Sequence, residues 1–117
     1  STAKEPAKNM VLSNLTRSAF ISFSKTLSLE ATNKGVTINN ILTGGVATKR
    51  LLELALKRVG KKKLNQEITR IASSKPVGYL ASTENFVQTI LFLTTEQASY
   101  VSGTSIAVDG GASKSLF

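Results

Sequence analysis

The segment Thr43-Gly44-Gly45-Val46-Ala47-Thr48 is the part of this sequence best suited to meeting a ligand. Loop glycines let the backbone approach a bound molecule closely. Thr48 stands where a helix would begin, so its hydroxyl and the free N–H groups of a first helical turn can face a phosphate or a carboxamide. On spacing alone the same residues serve equally as a turn and a helix cap, and both readings stand. A second chemical feature is the run Lys57, Arg58, Lys61, Lys62 and Lys63. It reads either as a solvated helix end or as an anion-binding patch, and no aromatic side chains are interleaved with it to stack on bases. The chain has no Cys and no His, which removes disulfides, thiolate chemistry and the usual ligands of transition metals.

These residues need elements to position them. From Met10 to Ala31 the apolar residues Val11, Leu12, Leu15, Ala19, Phe20, Phe23 and Leu27 recur at helical spacing, predicting one helix of about 33 Å with Asn9 as its N-cap. Thr32–Gly35 turns the chain into a strand predicted over Val36–Leu42, whose β-branched residues alternate at its start. Thr48 then caps a helix reaching Val59 and stopping near Gly60, and a weaker helix follows over Leu64–Ala72. After Pro76 and Gly78, Thr83 is the expected cap of a helix running to Leu93. A turn at Glu96–Ala98 leads to a last strand, Ser105–Val108, closed by Asp109-Gly110-Gly111. Two strands cannot cover the apolar faces of these helices, and parallel sheets are normally covered on both sides within larger sheets. The remaining strands must come from elsewhere, either from a longer polypeptide or from a partner, and a fragment of a larger α/β unit is the favoured reading. In an open parallel sheet ligands bind beyond the carboxyl ends of the strands, which puts the Thr43–Thr48 loop at the mouth of a site.

An apolar content of 41% with 19% charged residues fits one ordinary domain or a piece of one. No apolar run is long enough to cross a membrane, and residues 1–9 lack the pattern of a secretory signal, so a soluble, cytoplasmic protein without a membrane partner is expected. The net charge of +8 favours anionic partners without choosing among them.

Five local sequences fall in a telling order: Lys25-Thr26-Leu27-Ser28-Leu29-Glu30, Gly35-Val36-Thr37-Ile38-Asn39-Asn40-Ile41, Gly44 with Thr48, Ala98-Ser99-Tyr100-Val101-Ser102-Gly103, and Val108-Asp109-Gly110-Gly111. In this order the chain resembles the short-chain dehydrogenase/reductase family over roughly residues 10–111. The resemblance implies an α/β fold, the C-terminal part of a Rossmann-like doubly wound parallel sheet. Residues 1–117 would form the C-terminal part of a single domain whose Gly-rich cofactor-binding half is absent from this chain. It implies an NAD(P)-dependent oxidoreductase acting on a carbonyl or alcohol substrate, with 3-oxoacyl reductases as one precedent. NAD or NADP is the implied cofactor, and Thr43, Gly44, Gly45, Val46 and Thr48 are its implied contacts. Thr43 stands where relatives usually carry Pro.

Relatives also carry a Tyr four residues before a Lys on the long helix, where the ammonium lowers the phenol pKa and the Tyr exchanges a proton with the substrate. Counting back from Lys25, those positions hold Ser13 and Arg17. Arg17 keeps a positive charge able to meet ribose hydroxyls, although its planar fork does not simply replace an ammonium. Ser1 lies near the place of a substrate-orienting Ser. Ser1, Ser13 and Arg17 are thus the catalytic candidates, while Asn14 and Thr16 read as ordinary polar positions and Lys25 is expected to face solvent or a neighbouring helix. The resemblance places a substrate cover at Leu51 to about Lys75 and pairing between copies, as dimer or tetramer, on the long helix and the next one. With the Tyr and Lys replaced, a catalytically silent nucleotide-binding or assembly protein is the competing reading. A nucleic-acid partner is not expected, since no recognition motif accompanies the charge.

Overall fold

The computed structural model describes residues 3–116. Helix α1, Val11–Ala31, is followed by a short 3₁₀ turn, Thr32–Lys34, and strand β1, Asn40–Thr43. Helices α2, Lys49–Val59, and α3, Leu64–Ser73, flank a second 3₁₀ turn at Lys61–Lys63. Helix α4, Thr83–Leu93, leads through a third at Glu96–Ala98 to strand β2, Ser105–Val108. The two strands pair in parallel, Asn40 with Ser105 through Thr43 with Val108. The helix–turn–strand order makes this arrangement the α/β one expected from the sequence.

The strand begins later than its β-branched residues suggest. Residues 36–39 face the turn before β2, where the Gly103 N–H donates to the Ile38 carbonyl at 2.7 Å and side chains supply further hydrogen bonds. The Asn39 amide donates to the Val101 carbonyl at 2.8 Å, and its oxygen accepts from the Thr104 N–H at 3.3 Å. The Ile38 N–H donates to the Ser102 hydroxyl. From Asn40, whose N–H donates to the Thr104 carbonyl at 2.9 Å, the continuous strand pairing takes over.

Two caps also differ from expectation. Met10, not Asn9, precedes α1, and Asn9 sits at φ +61°, a left-handed conformation that Asn tolerates better than most residues. Asn14 instead ties down the preceding segment, donating to the Ala7 carbonyl at 2.9 Å and accepting from the Ala7 N–H. Ser82, one residue before Thr83, caps α4. Its hydroxyl accepts from the Asn85 N–H while the Asn85 side chain accepts from the Ser82 N–H, a reciprocal box that satisfies both ends.

Helix α1 does not bury its large apolar residues. Val11, Leu12, Leu15, Phe20, Phe23 and Leu29 are all exposed, and its buried positions are Ser24 and Ser28. Small side chains are needed there because the loop before β2 approaches closely: a Cβ on Gly103, at φ +70°, would fall 2.6 Å from the Ser28 hydroxyl. Lys25 is exposed, as expected, and closes the contact by donating from Nζ to the Gly103 carbonyl at 2.9 Å. Among the described residues the buried apolar side chains are Leu42, Ala55 and Ala98.

The side chains that tie α1 and the segment before β1 to the β2 approach have a measurable share in stability. Asn39→Ala is expected to lower unfolding free energy by about 2 kcal/mol, since two hydrogen bonds vanish and their backbone partners lose them. Lys25→Met removes one bond from an exposed ammonium and should cost about 1 kcal/mol or less. Urea unfolding of both variants checks the ranking, and an Asn39→Ala protein as stable as the parent would refute that share.

Candidate functional site

The Thr43–Thr48 loop leaves the carboxyl end of β1, where the sheet geometry calls for a ligand. Its first anchor is the Gly44 N–H, which donates to the Val108 carbonyl at 2.9 Å and so continues the ladder by one residue. Its second is a parallel bridge between Val46 and Ala81, with the Ala47 N–H donating to Ala81 and the Ala81 N–H to Gly45. The Thr48 hydroxyl then accepts from the Leu51 N–H at 3.3 Å and opens α2. The loop is therefore held at three points before any ligand arrives.

The two glycines are needed for packing. A Cβ on Gly44 would lie 2.4 Å from the Asp109 Cα, and one on Gly45 would lie 2.7 Å from a methyl of Leu80. Asp109 is itself buried and organises the chain after β2, accepting from the Gly111 N–H at 3.0 Å and the Ser113 N–H at 2.9 Å.

A cavity of about 580 Å³ opens beside the loop, between α2, α3 and the start of α4. Thr43, Gly44, Val46 and Thr48 form one side, and Leu51, Leu54, Ile71, Phe86 and Val87 supply apolar walls. Gly45 does not reach it and lines a smaller pocket of about 170 Å³ with Asp109 and Gly110. Arg17 lies along a separate groove of about 490 Å³, with Phe20, Ile21 and the edge of β1 from Asn39 to Thr43. Thr43 lines both spaces and is the junction between them. Ser13 is half-buried near the start of α1 and lines neither space. Ser1 lies outside the described residues. The threonines, Arg50 and the apolar walls fit the nicotinamide end of a dinucleotide, which needs a flat apolar rest for its ring and hydroxyl partners for its carboxamide and ribose.

The electrostatic feature of the cavity wall is one that residue spacing did not reveal. Glu67 on α3 is buried, yet Arg70 holds it with two bonds of 2.7 and 2.8 Å and Arg58 of α2 lies 3.4 Å away. The bidentate guanidinium of Arg70 keeps the Glu67 carboxyl below its ordinary range, with the charges of Arg70 and Arg58 adding to the effect against the opposing influence of burial. Arg70 is raised in turn by the same partner. The i, i+3 pairing was a possible signal in the sequence, but the link to Arg58 depends on how α2 and α3 pack. A depressed carboxyl stabilises the fold fully above the ordinary Glu pKa of about 4.3 and loses that contribution as pH falls through its lower folded value. Accordingly Glu67→Gln should lower the melting temperature at pH 7 and flatten its fall between about pH 5 and pH 3. Parallel melting curves across that range would show that the carboxylate contributes nothing to the hairpin.

Among the described residues there is no cluster of His, Cys, Asp or Glu able to hold a metal, and no helix is long and apolar enough to cross a membrane.

Comparison with known proteins agrees with this geometry. A family model described as enoyl-(acyl carrier protein) reductase matches residues 1–113. The NADPH-dependent reductase BacG of Bacillus subtilis (strain 168) is 33% identical over 118 residues, an alignment taking in 97% of this chain and 44% of that protein. The 3-oxoacyl-[acyl-carrier-protein] reductase FabG of Haemophilus influenzae is 27% identical over 95 residues, covering 81% of this chain and 36% of that one. Among solved structures, YwfH, an NADPH-dependent reductase involved in bacilysin biosynthesis, superposes with a TM-score of 0.90 at 33% identity, over 99% of this chain and 45% of its own. The L-sorbose reductase of Gluconobacter frateurii, solved with NADPH and L-sorbose, gives 0.81 at 30% identity, over 88% and 40%. The chain thus spans less than half the length of these relatives. With a family match over residues 1–113 and a parallel α/β fold that superposes on its solved members, the chain belongs to the short-chain dehydrogenase/reductase family.

Proposed function

We propose that this chain is the C-terminal part of a single-domain NAD(P)-dependent oxidoreductase that interconverts a carbonyl and a hydroxyl group on a small molecule, 3-oxoacyl compounds included. The observation that carries this reading is the position of Thr43 at the junction of two spaces, one holding Thr48 and apolar walls, the other holding Arg17. Such a junction suits a cofactor ring on one side and a polarised substrate oxygen on the other.

When bound, the cofactor supplies the hydride, as the names of NADPH-dependent relatives support. Thr43, Gly44, Gly45, Val46 and Thr48 are proposed to shape its binding place, the glycines by allowing close packing against Asp109 and Leu80 and the threonines by hydrogen bonding. Arg17 would place a permanent positive charge near the ribose and the developing alkoxide. Ser13, with Ser1 as a substrate-orienting hydroxyl, would donate hydrogen bonds, since a Ser hydroxyl is too weak an acid to replace a phenol outright. Helix α1, with its exposed Leu12, Leu15, Phe20 and Phe23, is the proposed pairing surface of a homo-oligomer in the cytoplasm.

The test uses the full-length natural polypeptide. NADPH and NADH are titrated by fluorescence and consumption is followed with short-chain 3-oxoacyl thioesters and simple ketones. Turnover dependent on one nicotinamide cofactor supports the proposal. Tight cofactor binding with no turnover on any carbonyl would instead favour a silent nucleotide-binding protein.

A further inference from the structure

Two carboxylates from opposite ends of the sequence hold the chain after β2. Asp109 fixes its start, accepting from the N–H groups of Gly111 and Ser113. Glu5 fixes its continuation. One oxygen of Glu5 accepts from the Ser113 hydroxyl at 3.3 Å, from the Ser115 N–H at 2.6 Å and from the Lys114 N–H. Hydrogen bonds to an ionised acceptor are roughly twice as strong as neutral ones, so three of them on one oxygen make a firm tie between residues 108 to 110 positions apart.

Residues 109–115 thereby form a strap, and its two ends meet the two spaces that Thr43 joins. At one end Asp109 lies against Gly44 of the cofactor loop, where an added Cβ would fall 2.4 Å from the Asp109 Cα. At the other end Glu5 sits in the middle of segment 3–7. That segment is fastened to α1 on either side of Glu5, by Asn14 at Ala7 and by the Ser18 hydroxyl, which donates to the Ala3 carbonyl at 3.3 Å. Ala3 lines the groove that holds Arg17. The strap therefore connects the cofactor loop with the part of the groove wall that Ala3 supplies. Glu5 itself lines neither space, so its influence on them passes through the segment that carries it.

We infer that Glu5 is a positioning residue for the substrate groove, holding segment 3–7 against the strap so that the groove keeps its shape around Arg17. Its kinetic consequence rests on the oxidoreductase reading, whereas the strap itself does not. Displacement of a positioning element by about 1 Å can cost as much as 10²-fold in rate, which sets the upper bound of the effect.

The first test needs no turnover. Trypsin cuts after Lys114, between two of the tied residues, and cleavage requires the chain to leave its bonds locally. Under native conditions Glu5→Ala should speed that cut at least about fivefold, measured by mass spectrometry against cleavage after Lys34 in the same sample. Glu5→Gln keeps an acceptor oxygen at the same reach and should restore much of the protection. The second test is kinetic, on the full-length protein, with whichever of the short-chain 3-oxoacyl thioesters and simple ketones the parent turns over best. Glu5→Ala should lower kcat/KM about tenfold, mainly through KM, with the Kd for NADPH changed less than about twofold. Ser115→Pro, which removes one donor, should act in the same direction, and the double variant should be no worse than Glu5→Ala alone, as one shared contact requires. Unchanged cleavage in Glu5→Ala would overturn the strap. Faster cleavage with unchanged KM, or additive losses in the double variant, would overturn the positioning role. A parent that turns over no carbonyl compound at all would instead sink the oxidoreductase reading and the positioning role with it, while the cleavage rates would still decide on the strap.

Discussion

Alanine at position 44 is expected to destabilise the protein by about 3 kcal/mol, the upper end of what forced overpacking costs. The reason is local and leaves little room for relief. An added Cβ would meet the Asp109 backbone at 2.4 Å and its Cβ at 2.6 Å, and backbone cannot rotate aside as a flexible side chain can. Moving the loop would stretch the hydrogen bond from the Gly44 N–H to Val108, which extends the sheet. Moving Asp109 would loosen the turn that its carboxylate holds through Gly111 and Ser113. Gly35 provides the control: it sits at φ +76° with nothing within 4 Å of the added atom, so Gly35→Ala should cost about 1 kcal/mol from backbone conformation alone. Urea unfolding of the two variants measures the difference, and an alanine at 44 tolerated as well as one at 35 would mean that Asp109 yields freely.

The second large effect is expected at Arg17 and Ser13, the proposed catalytic pair. If Arg17 supplies the charge that stabilises the developing alkoxide, Arg17→Met should lower kcat/KM by about 10² to 10³, in the range seen when one preorganised donor is removed. Arg17→Lys should recover only part of that loss, because the ammonium is a point charge on a differently hydrated stem. Ser13→Ala should lower kcat by roughly tenfold, less than general acid–base groups usually do, as befits a hydroxyl that donates without releasing its proton. Steady-state kinetics on the full-length protein with the active carbonyl substrate, beside melting curves, separates these effects from misfolding. An Arg17→Met enzyme with undiminished kcat/KM would remove Arg17 from the site and send the search toward the other wall of the cavity.

How much of this was legible in the sequence depends on the range of the contacts involved. The Thr48 cap and the end of α2 at Gly60 follow from neighbours within one turn, and they stand where the residue types place them. Strand β2 was also readable, since Asp109-Gly110-Gly111 ends it abruptly. The early start expected for β1 was not met, because Val36-Thr37-Ile38 has strand-forming side chains but faces a turn. Thr83 and Ser82 are both good caps, and only the reciprocal bond from Asn85 decides between them. Lys25 was opaque for a different reason: its partner, the Gly103 carbonyl, lies 78 residues away, and nothing local to α1 hints at it. The candidate site divides in the same way. The Thr43–Thr48 loop was visible as a unit, whereas the separation of Gly45 from the cavity and the buried Glu67 beside it are consequences of how α2, α3 and α4 pack.

The parallel pairing of Asn40 with Ser105 also carries an implication for time. Strands so far apart along the chain meet only after a long loop has closed, and the entropy of closure is lost before the contacts return anything. Helices α2 and α4 depend on neighbouring residues and can begin within about a microsecond, well before the sheet. In pulse-labelled exchange during refolding, the Leu52 amide, bonded to Thr48 within its own turn, should therefore be protected ahead of the Asn40 and Gly44 amides, which donate to β2 and its approach. Simultaneous protection of all three would mean that the sheet and the hairpin form as one event. In the expected order, Thr43 reaches the junction of its two spaces only when the last long-range contact is made, so binding competence would be the final property the chain acquires as it folds.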